Sequence, residues 1–279
     1  MPEEPDWFPK SEILSFEEIE RLVRVAAAGG VRKLRITGGE PLVRRELPRL
    51  IARLTAVPGI DDVSLTTNGV LLAPLARDLA AAGLRRINVS LDSLDPARFV
   101  ELTGRDRLAD VLRGLDAAAA AGLAPIKLNA VLLAGINDDE AVALAGFGRE
   151  RVITGDSVRR RISAVWPILP DPAADPHAPA ARWRYADGSG SVGFIDSVTA
   201  PFCGTCGRIR LTSDGKLRVC LYDDREVDLK RLLRAGAPDA EIAAAIEGAV
   251  RRKGRGGALD ILESRRAIPL VRTMHQIGG

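Results

Sequence analysis

The stretch Lys33-Leu-Arg-Ile-Thr-Gly-Gly-Glu-Pro41 contains the pattern from which the fold of this chain can be predicted. Its first five residues, 33–37, predict a short strand that runs directly into a pair of glycines. A helix precedes this strand, because Ser15 and Glu18 form a capping box and apolar residues then recur at helical spacing over 16–28. A helix that leads into a strand and a glycine turn is a unit from which α/β folds are built.

The same alternation of strand and helix continues outward from this stretch through the first half of the chain. Predicted helices span 16–28, 45–56, 71–82 and 107–121, with another beginning near 138, and predicted strands span 33–37, 62–66, 86–91 and 126–133. Parallel strands that are joined by helices need right-handed crossovers. We therefore expect an α/β fold with an open or barrel-like parallel sheet.

The second half of the chain has a different pattern. The segment 149–165 is charged and predicts a helix, whereas 167–190 is rich in Pro, Ala, Asp and Gly and predicts a linker or long surface loop. Short strands over 192–195, 208–212 and 217–220 follow, and then helices over 226–234 and 239–252. The predicted parts are a barrel-like part over 1–148, a helix and linker over 149–190, and a C-terminal region over 191–279.

The overall composition argues against several classes of protein. A chain of 279 residues can bury a sizeable core, and a net charge of +3 is too small to argue for a nucleic acid or membrane partner. Residues 1–16 carry acids and prolines, so we predict no signal peptide, and no stretch is long enough to span a membrane. We expect a cytoplasmic protein. The basic run Arg251, Arg252, Lys253 and Arg255 is interpreted as a solvated face.

The three cysteines of the chain lie close together in sequence, as Cys203, Cys206 and Cys220. A CxxC pair and a third cysteine, with no other thiols to pair with, indicate ligands of one metal centre instead of a disulfide framework. Three thiolates leave one coordination position vacant. A cubane iron-sulfur cluster with one open iron could bind a substrate atom there, whereas zinc would require a fourth ligand such as His177 or His275.

Polar side chains recur where the four predicted strands end, which is where parallel α/β sheets carry their functional groups. At the first end, adjacent glycines let a ligand approach the backbone, and Glu40 can accept from an ammonium group. Lys127 lies inside an apolar run, and an anionic ligand explains a lysine there better than packing does. The polar residues at the four ends are Arg35, Thr37 and Glu40; Thr66, Thr67 and Asn68; Asn88, Ser90 and Asp92; and Lys127 and Asn129.

Several of these motifs resemble the GTP 3',8-cyclase family of radical S-adenosylmethionine (SAM) enzymes, over nearly the whole chain. The matching motifs are Thr37-Gly-Gly-Glu-Pro-Leu-Val-Arg44, Thr66-Thr-Asn-Gly69, Asn88-Val-Ser-Leu-Asp-Ser-Leu94, the CxxC with Arg208 and Arg210, and the terminal Gly278 and Gly279. The resemblance implies a partial (β/α) barrel of the radical SAM type with a C-terminal iron-sulfur extension. It also implies cyclisation of GTP to (8S)-3',8-cyclo-7,8-dihydroguanosine 5'-triphosphate in molybdenum cofactor biosynthesis, a homodimer and an external electron donor.

The resemblance implies a role for each matching residue. Contacts to SAM are implied for Gly38, Gly39, Glu40 and Ser90. Contacts to GTP are implied for Arg35, Thr66, Lys127, Arg208, Ile209 and Arg210, and catalytic roles for Arg208, Arg210, Gly278 and Gly279. A [4Fe-4S] cluster held by Cys203, Cys206 and Cys220, with the guanine on its open iron, is also implied.

The chain departs from the family pattern in two places. The family binds a second [4Fe-4S] cluster through an N-terminal CxxxCxxC followed by Met-Pro, whereas this sequence lacks those cysteines and begins with Met1 and Pro2. We interpret Met1 as an internal methionine, and we expect the chain as it stands to be inert in the radical step. The family also has another strand after the helix near 138–147, which we interpret as missing from this chain, together with the family's first strand. Four of the family's six parallel strands then remain, and their exposed edges predict poor solubility.

Two other functions remain open at this point. One is a non-catalytic remnant that binds GTP and an iron-sulfur cluster, which would bind nucleotide without producing 5'-deoxyadenosine. The other is an unrelated zinc-binding protein, and metal analysis would distinguish zinc from iron with sulfide.

Overall fold

The computed structural model describes residues 8–133, 135–147, 156–175, 178–195 and 203–254. The first half of the chain alternates helices and strands, as predicted. Its elements are α1 (Phe16–Ala28), β1 (Lys33–Ile36), α2 (Leu47–Thr55), β2 (Asp62–Thr67), α3 (Leu72–Ala81), β3 (Arg86–Ser90), α4 (Pro96–Thr103), α5 (Leu108–Ala120) and β4 (Ile126–Asn129). The second half contains α6 (Ala141–Phe147), α7 (Asp156–Val165), β5 (Ile168–Pro170), β6 (Ala181–Tyr185), β7 (Ser191–Phe194), β8 (Arg210–Leu211), β9 (Lys216–Arg218), β10 (Val227–Asp228), α8 (Leu229–Arg234) and α9 (Asp239–Arg251).

The first four strands form one parallel sheet in the order β1-β2-β3-β4. Each strand pairs with the next one along the chain, and at least one helix lies between consecutive strands. This arrangement confirms the predicted α/β fold with four parallel strands. The parallel order brings the carboxyl ends of all four strands to the same edge.

Local signals explain where the helices begin. Ser15 Oγ accepts from the amide of Glu18 at 3.1 Å, and the Glu18 carboxylate accepts from the amide of Ser15 at 2.8 Å, so the predicted capping box forms at the start of α1. Helix α4 is absent from the sequence predictions. Its start has a recognisable signal, because Asp95 accepts from the amide of Arg98 at 2.8 Å and Pro96 occupies the first turn.

One face of the parallel sheet forms the main apolar core. Side chains alternate between the two faces of a strand, and Leu65, Ile87 and Val89 all have 0% exposed surface. They pack against buried residues of the helices, including Ile51 and Leu79. Because every strand buries this face against helices, the opposite face is the one that is free to carry other chemistry.

A second sheet, β5-β6-β7, is antiparallel and lies in the segment that was predicted to be a linker or surface loop over 167–190. That prediction was wrong for β5 and β6. Tyr185 is 1% exposed and donates from its hydroxyl to the carbonyl of Ala145 at 3.3 Å, with Trp166 edge-on at 6.5 Å. Two aromatic anchors therefore order a stretch whose Pro and Gly content alone suggested a loop.

The apolar cluster of this second sheet also includes Ala141 and Leu144 of α6 and Ile162 of α7. Helix α7 confirms the helix predicted within 149–165. Residues 148–155 lie outside the described residues, so the missing-strand interpretation of this region stays a prediction. The three-part division at 148 and 190 stays a prediction as well.

A third sheet, β8-β9-β10, packs with α8 and α9 against α1. Arg21 of α1 donates to the Asp239 carboxylate at 2.8 Å and to the carbonyl of Ala237 at 2.6 Å. Leu14 is 1% exposed within the same cluster. The cysteine-bearing part of the chain is thereby held against the first helix. Within the residues just described, no helix has the length and apolar character to cross a membrane.

Candidate functional site

The second face of the parallel sheet is polar at every position. Because successive side chains of a strand point to opposite faces, the residues between the apolar ones lie on the face away from the helices. These residues are Lys33 and Arg35 of β1; Asp62, Ser64 and Thr66 of β2; Arg86, Asn88 and Ser90 of β3; and Lys127 and Asn129 of β4. The register aligns Arg35 with Ser64 and Arg86 in one row across the strands. Four cations against one carboxylate give this polar face a net positive charge.

Two of these cations, Arg35 and Lys127, have no hydrogen bond or ion pair from their side chains to any part of the chain that the structure describes. Arg35 is exposed and Lys127 is half-buried, and partial desolvation of each side chain lowers its pKa. The charge of Arg86 lowers both pKa values further. Neighbouring cations that no carboxylate neutralises indicate a site for an anionic ligand.

Arg86 is held by the carboxylate of Asp62 on the adjacent strand. Arg86 Nε donates to Asp62 Oδ1 at 2.9 Å, and a second contact completes a bidentate pair. The Asp62 charge also raises the pKa of Arg35 and Lys127, although the lowering effects are larger. The one carboxylate on the polar face is therefore shared among three cations and does not neutralise them.

Thr66 lies in the next row of the polar face, aligned with Asn88 and Lys127. Its Oγ1 atom is buried and has no hydrogen-bond partner among the described residues. A buried hydroxyl that makes no hydrogen bond destabilises the folded state, and a ligand that pairs with it would remove this cost. The structure thus brings Arg35, Thr66 and Lys127, the three predicted strand contacts to GTP, onto one surface.

The glycine turn after β1 is tied to the end of β2 by Glu40. The buried Glu40 carboxylate accepts from the hydroxyl of Thr67 at 2.6 Å, from the amide of Asn68 at 2.8 Å and from the amide of Leu42 at 3.0 Å. These contacts show Glu40 in a structural role at the strand ends. Gly38 has a φ of +158°, and a Cβ built there would meet nothing within 4 Å, so the space beside the turn is open.

The ends of β3 and β4 are joined by a network that the sequence did not predict. Asn137, with 0% exposed surface, donates to the carbonyls of Asp92 at 2.7 Å and Val131 at 3.0 Å. Asp92 accepts from the amide of Val131 at 2.8 Å, and burial raises the pKa of its carboxyl group. The predicted strand over 126–133 ends at Asn129 because the chain then turns into this network. Ser90 lies opposite Asn129 and is exposed.

The first two cysteines lie on a short turn beside Arg208. Cys203–Thr205 is one turn of 3-10 helix, and the amide of Cys206 donates to the carbonyl of Cys203 at 3.2 Å. Arg208 Nε lies 3.5 Å from Cys206 Sγ. Burial opposes ionisation of Cys206, but the contacts and charge of Arg208 outweigh it, so the pKa of this thiol is lowered. The thiolate is the form that binds metals.

Arg210 lies near Arg208 and the cysteines. Burial is the largest cause of its lowered pKa, the charge of Arg208 adds to the lowering, and the charges of Cys206 and Cys220 oppose it. Arg208 in turn lowers the pKa of Arg35. Arg208 thus lies near the thiol of Cys206 and near Arg35 of the polar face. Ile209, between them in sequence, packs against the apolar cluster of the third sheet.

Arg218, which the sequence analysis did not single out, shapes the loop that carries Cys220. It is 1% exposed and donates to the carbonyl of Asp223 at 2.6 Å and to the Glu226 carboxylate at 3.0 Å. Its Nε has no hydrogen-bond partner within the described residues. Nothing in the local sequence distinguishes this arginine from a surface residue, because its burial depends on how the loop closes around it.

The donor set fits an iron-sulfur centre in its chemistry, because three thiols lie in a basic environment. In the described part of the chain, no group of three His, Cys, Asp or Glu side chains is arranged to hold a metal ion. The predicted ligand role of Cys203, Cys206 and Cys220 therefore stays a prediction. Gly278 and Gly279, and both histidines of the zinc alternative, lie outside the described residues.

Comparison with known proteins agrees with this architecture. Residues 4–148 match the Radical SAM superfamily, and residues 140–258 match Molybdenum Cofactor Synthesis C. A GTP 3',8-cyclase from Moorella thermoacetica is 44% identical and aligns over 96% of this chain and 88% of its own length. One from Pelotomaculum thermopropionicum is 43% identical over 100% of this chain and 92% of its own. Among solved structures, Streptococcus suis SuiB bound to S-adenosylmethionine is a distant match, with 15% identity, a TM-score of 0.41 and coverage of 88% of this chain and 62% of SuiB.

Proposed function

The chain belongs to the GTP 3',8-cyclase family of radical SAM enzymes, and we propose that it binds GTP against the polar face of its parallel sheet for cyclisation to (8S)-3',8-cyclo-7,8-dihydroguanosine 5'-triphosphate. The family assignment confirms the predicted fold of the radical SAM type. The observation that carries the proposal is that Arg35, Lys127 and the nearby hydroxyl of Thr66 have no hydrogen-bond or ion-pair partner among the described residues.

A triphosphate suits this surface for electrostatic reasons. It carries several negative charges, and guanidinium and ammonium groups bind phosphate oxygens through charge-assisted hydrogen bonds. Arg35 and Lys127 supply such groups from β1 and β4, with Arg86 nearby. Arg208 and Arg210 would meet the nucleotide from the opposite side, and we assign Thr66 and Ile209 to contacts with its remaining groups.

We assign the [4Fe-4S] cluster of the C-terminal region to Cys203, Cys206 and Cys220. When bound, a three-thiolate cluster supplies an open iron that can coordinate an atom of the substrate. The contribution of the protein is positional: Arg208 favours the thiolate form of Cys206, and Arg210 places positive charge near Cys206 and Cys220. These arginines would therefore orient the nucleotide next to the thiolates.

We assign SAM to the carboxyl ends of the first three strands. The open space beside Gly38 admits a ligand to the backbone of Gly38 and Gly39, and Ser90 presents an exposed hydroxyl at the end of β3. Glu40 would hold this turn in place instead of carrying the chemistry, because three protein donors already contact its carboxylate. A homodimer and an external electron donor belong to the same proposal.

The cysteine content limits what the 279-residue chain can do alone. All three cysteines are assigned to the C-terminal cluster, so none remains for the cluster that the family uses to generate its radical. We therefore expect this chain to bind GTP and SAM without forming 5'-deoxyadenosine. That outcome corresponds to the non-catalytic alternative, and the assignments of the GTP and cluster residues are the same in both cases.

The test is GTP binding, measured by isothermal titration on anaerobically reconstituted protein. Lys127→Met removes a cation from the polar face and should weaken binding about 10- to 100-fold, as expected for the loss of a charge-assisted hydrogen bond. Arg77→Met is the control, because it removes an exposed charge from α3, on the opposite side of the sheet. Equal affinities of the Lys127→Met and Arg77→Met variants would contradict the proposed site.

A further inference from the structure

Lys253 lies just beyond the C-terminal end of α9, where it contacts the turn that carries Cys206. Its Nζ lies 2.6 Å from the carbonyl oxygen of Cys206, 2.9 Å from the carbonyl oxygen of Arg208 and 3.7 Å from Cys206 Sγ. A lysine ammonium has three N–H donors. These three acceptors match that number, so all three N–H groups of Lys253 face the turn over 206–208, which we call the cysteine turn.

The environment of Lys253 differs from that of the other basic residues around it. Its side chain is half-buried, whereas Arg251 and Arg252 are exposed. Arg251 forms an ion pair at 2.6 Å with Glu247, one turn earlier on the helix surface. The interpretation of the basic run as a solvated face is therefore wrong for Lys253. The sequence could not reveal this difference, because it depends on how the end of α9 meets the turn after Cys203.

We propose that Lys253 is a positioning residue of the thiolate centre, which fixes the turn from Cys206 to Arg208 and directs positive charge at the Cys206 sulfur. The proposal rests on the proposed function, in which Cys206 is a cluster ligand. Both bridged carbonyls belong to this turn, so one side chain holds Cys206 and Arg208 in a fixed relation. Arg208 also contacts the same sulfur, at 3.5 Å.

Two consequences follow for a cluster bound at this turn. A turn that is already ordered loses less conformational entropy when its thiolate becomes a ligand. An N–H donor and a positive charge next to a ligating sulfur stabilise the more negative, reduced form of a cluster, which raises its reduction potential. Lys253 should therefore increase both the retention of the cluster and its potential.

The experiment compares Lys253→Met with Arg251→Met in the full chain after anaerobic reconstitution. Both variants remove one cation from the same run, but only the first removes the contacts to the cysteine turn. The readouts are iron and sulfide per chain, the rate of cluster loss to a chelator, and the midpoint potential from a redox titration followed by electron paramagnetic resonance. We expect Lys253→Met to lose its cluster about 10-fold faster or more and to show a lower potential. Arg251→Met should match the wild type.

The proposal is overturned if Lys253→Met loses its cluster no faster than Arg251→Met and has the same midpoint potential. If Lys253→Met fails to fold, Lys253→Gln replaces it, because it keeps an amide donor and removes the charge. A lowered potential in that variant supports the proposal, and a wild-type potential overturns it. Wild-type protein that binds no iron would instead contradict the cluster assignment itself, so the two failures are distinguishable.

Discussion

Lys127 and Glu40 differ in how much of their role was visible in the sequence. A lysine inside an apolar strand run predicted an anion site, and the structure places Lys127 on the polar face without a partner in the described residues. Glu40 was predicted to contact a ligand, yet Thr67 and Asn68 donate to its carboxylate. That contact depends on how the ends of two strands approach each other, which a linear sequence does not display. The pairing of Arg86 with a carboxylate 24 positions away is hidden for the same reason.

Asp92 allows a test of the network at the ends of β3 and β4. Burial raises the pKa of this carboxyl group, so the folded state holds the proton more tightly than the unfolded state. Its contribution to stability is therefore greatest below the unfolded pKa and is lost as pH rises through the folded pKa. Asp92→Asn removes this titration and can still accept from the amide of Val131. The unfolding free energy of Asp92→Asn relative to the wild type should therefore increase from acid to neutral pH.

Urea unfolding of both proteins at several pH values measures this difference. The exposed Asp78→Asn, on α3, is the control and should show no such trend. A stability difference between Asp92→Asn and the wild type that stays constant with pH would contradict the account of Asp92.

Helices and strands were predictable wherever a local signal marks them. Helix α1 begins and ends as predicted, because its capping box and the glycines after it are signals that need no tertiary information. The strands β5 and β6 were missed, because what orders them is the burial of Tyr185 against α6, a contact 40 positions apart in sequence. The polar face follows from the strand period alone once the four strands are known. The nearness of Arg208 to Arg35 of that face does not.

The packing of α3 and α5 against the end of β2 can be tested at a glycine. A Cβ on Gly114 of α5 would lie 2.7 Å from the carbonyl oxygen of Gly69 and 3.0 Å from Leu72 Cβ. The close approach should cost Gly114→Ala about 1–3 kcal/mol of unfolding free energy. The higher helix propensity of alanine should offset about 1 kcal/mol of that cost, so we expect a net loss of stability.

Gly248→Ala in α9 is the matched control, since its Cβ would meet only the flexible end of Arg252 at 3.3 Å. The higher helix propensity of alanine should make that variant as stable as the wild type or slightly more stable. Urea denaturation gives both values. Equal effects of the two substitutions would show that the close approach at Gly114 does not exist.

At the scale of the whole molecule, the C-terminal region and the parallel sheet are joined through α1. Leu22 and Val25 of α1 belong to the apolar cluster of β9, α8 and α9, whereas Val23 and Ala27 belong to the core of the parallel sheet. One helix thus packs against both cores. This dual packing joins the C-terminal region to the parallel sheet, as the proposed substrate site would require.

The edges of the parallel sheet lead to a prediction about solution behaviour. In the described residues, β1 and β4 each pair with one strand only and leave backbone groups at the edge. Such edges favour pairing with another chain. We therefore expect the 279-residue chain to elute heterogeneously in gel filtration and to aggregate on heating. A monodisperse, thermally stable monomer would contradict this expectation.

The central claim is that three thiolates hold an iron-sulfur cluster next to a positively charged face that binds GTP. Anaerobic reconstitution with iron and sulfide, followed by a count of both per chain, tests it most directly. One cluster on Cys203, Cys206 and Cys220 predicts about four irons and about four sulfides per chain, lost when these cysteines are replaced by alanine. Protein that contains only zinc, or iron that survives the three replacements, would contradict the account.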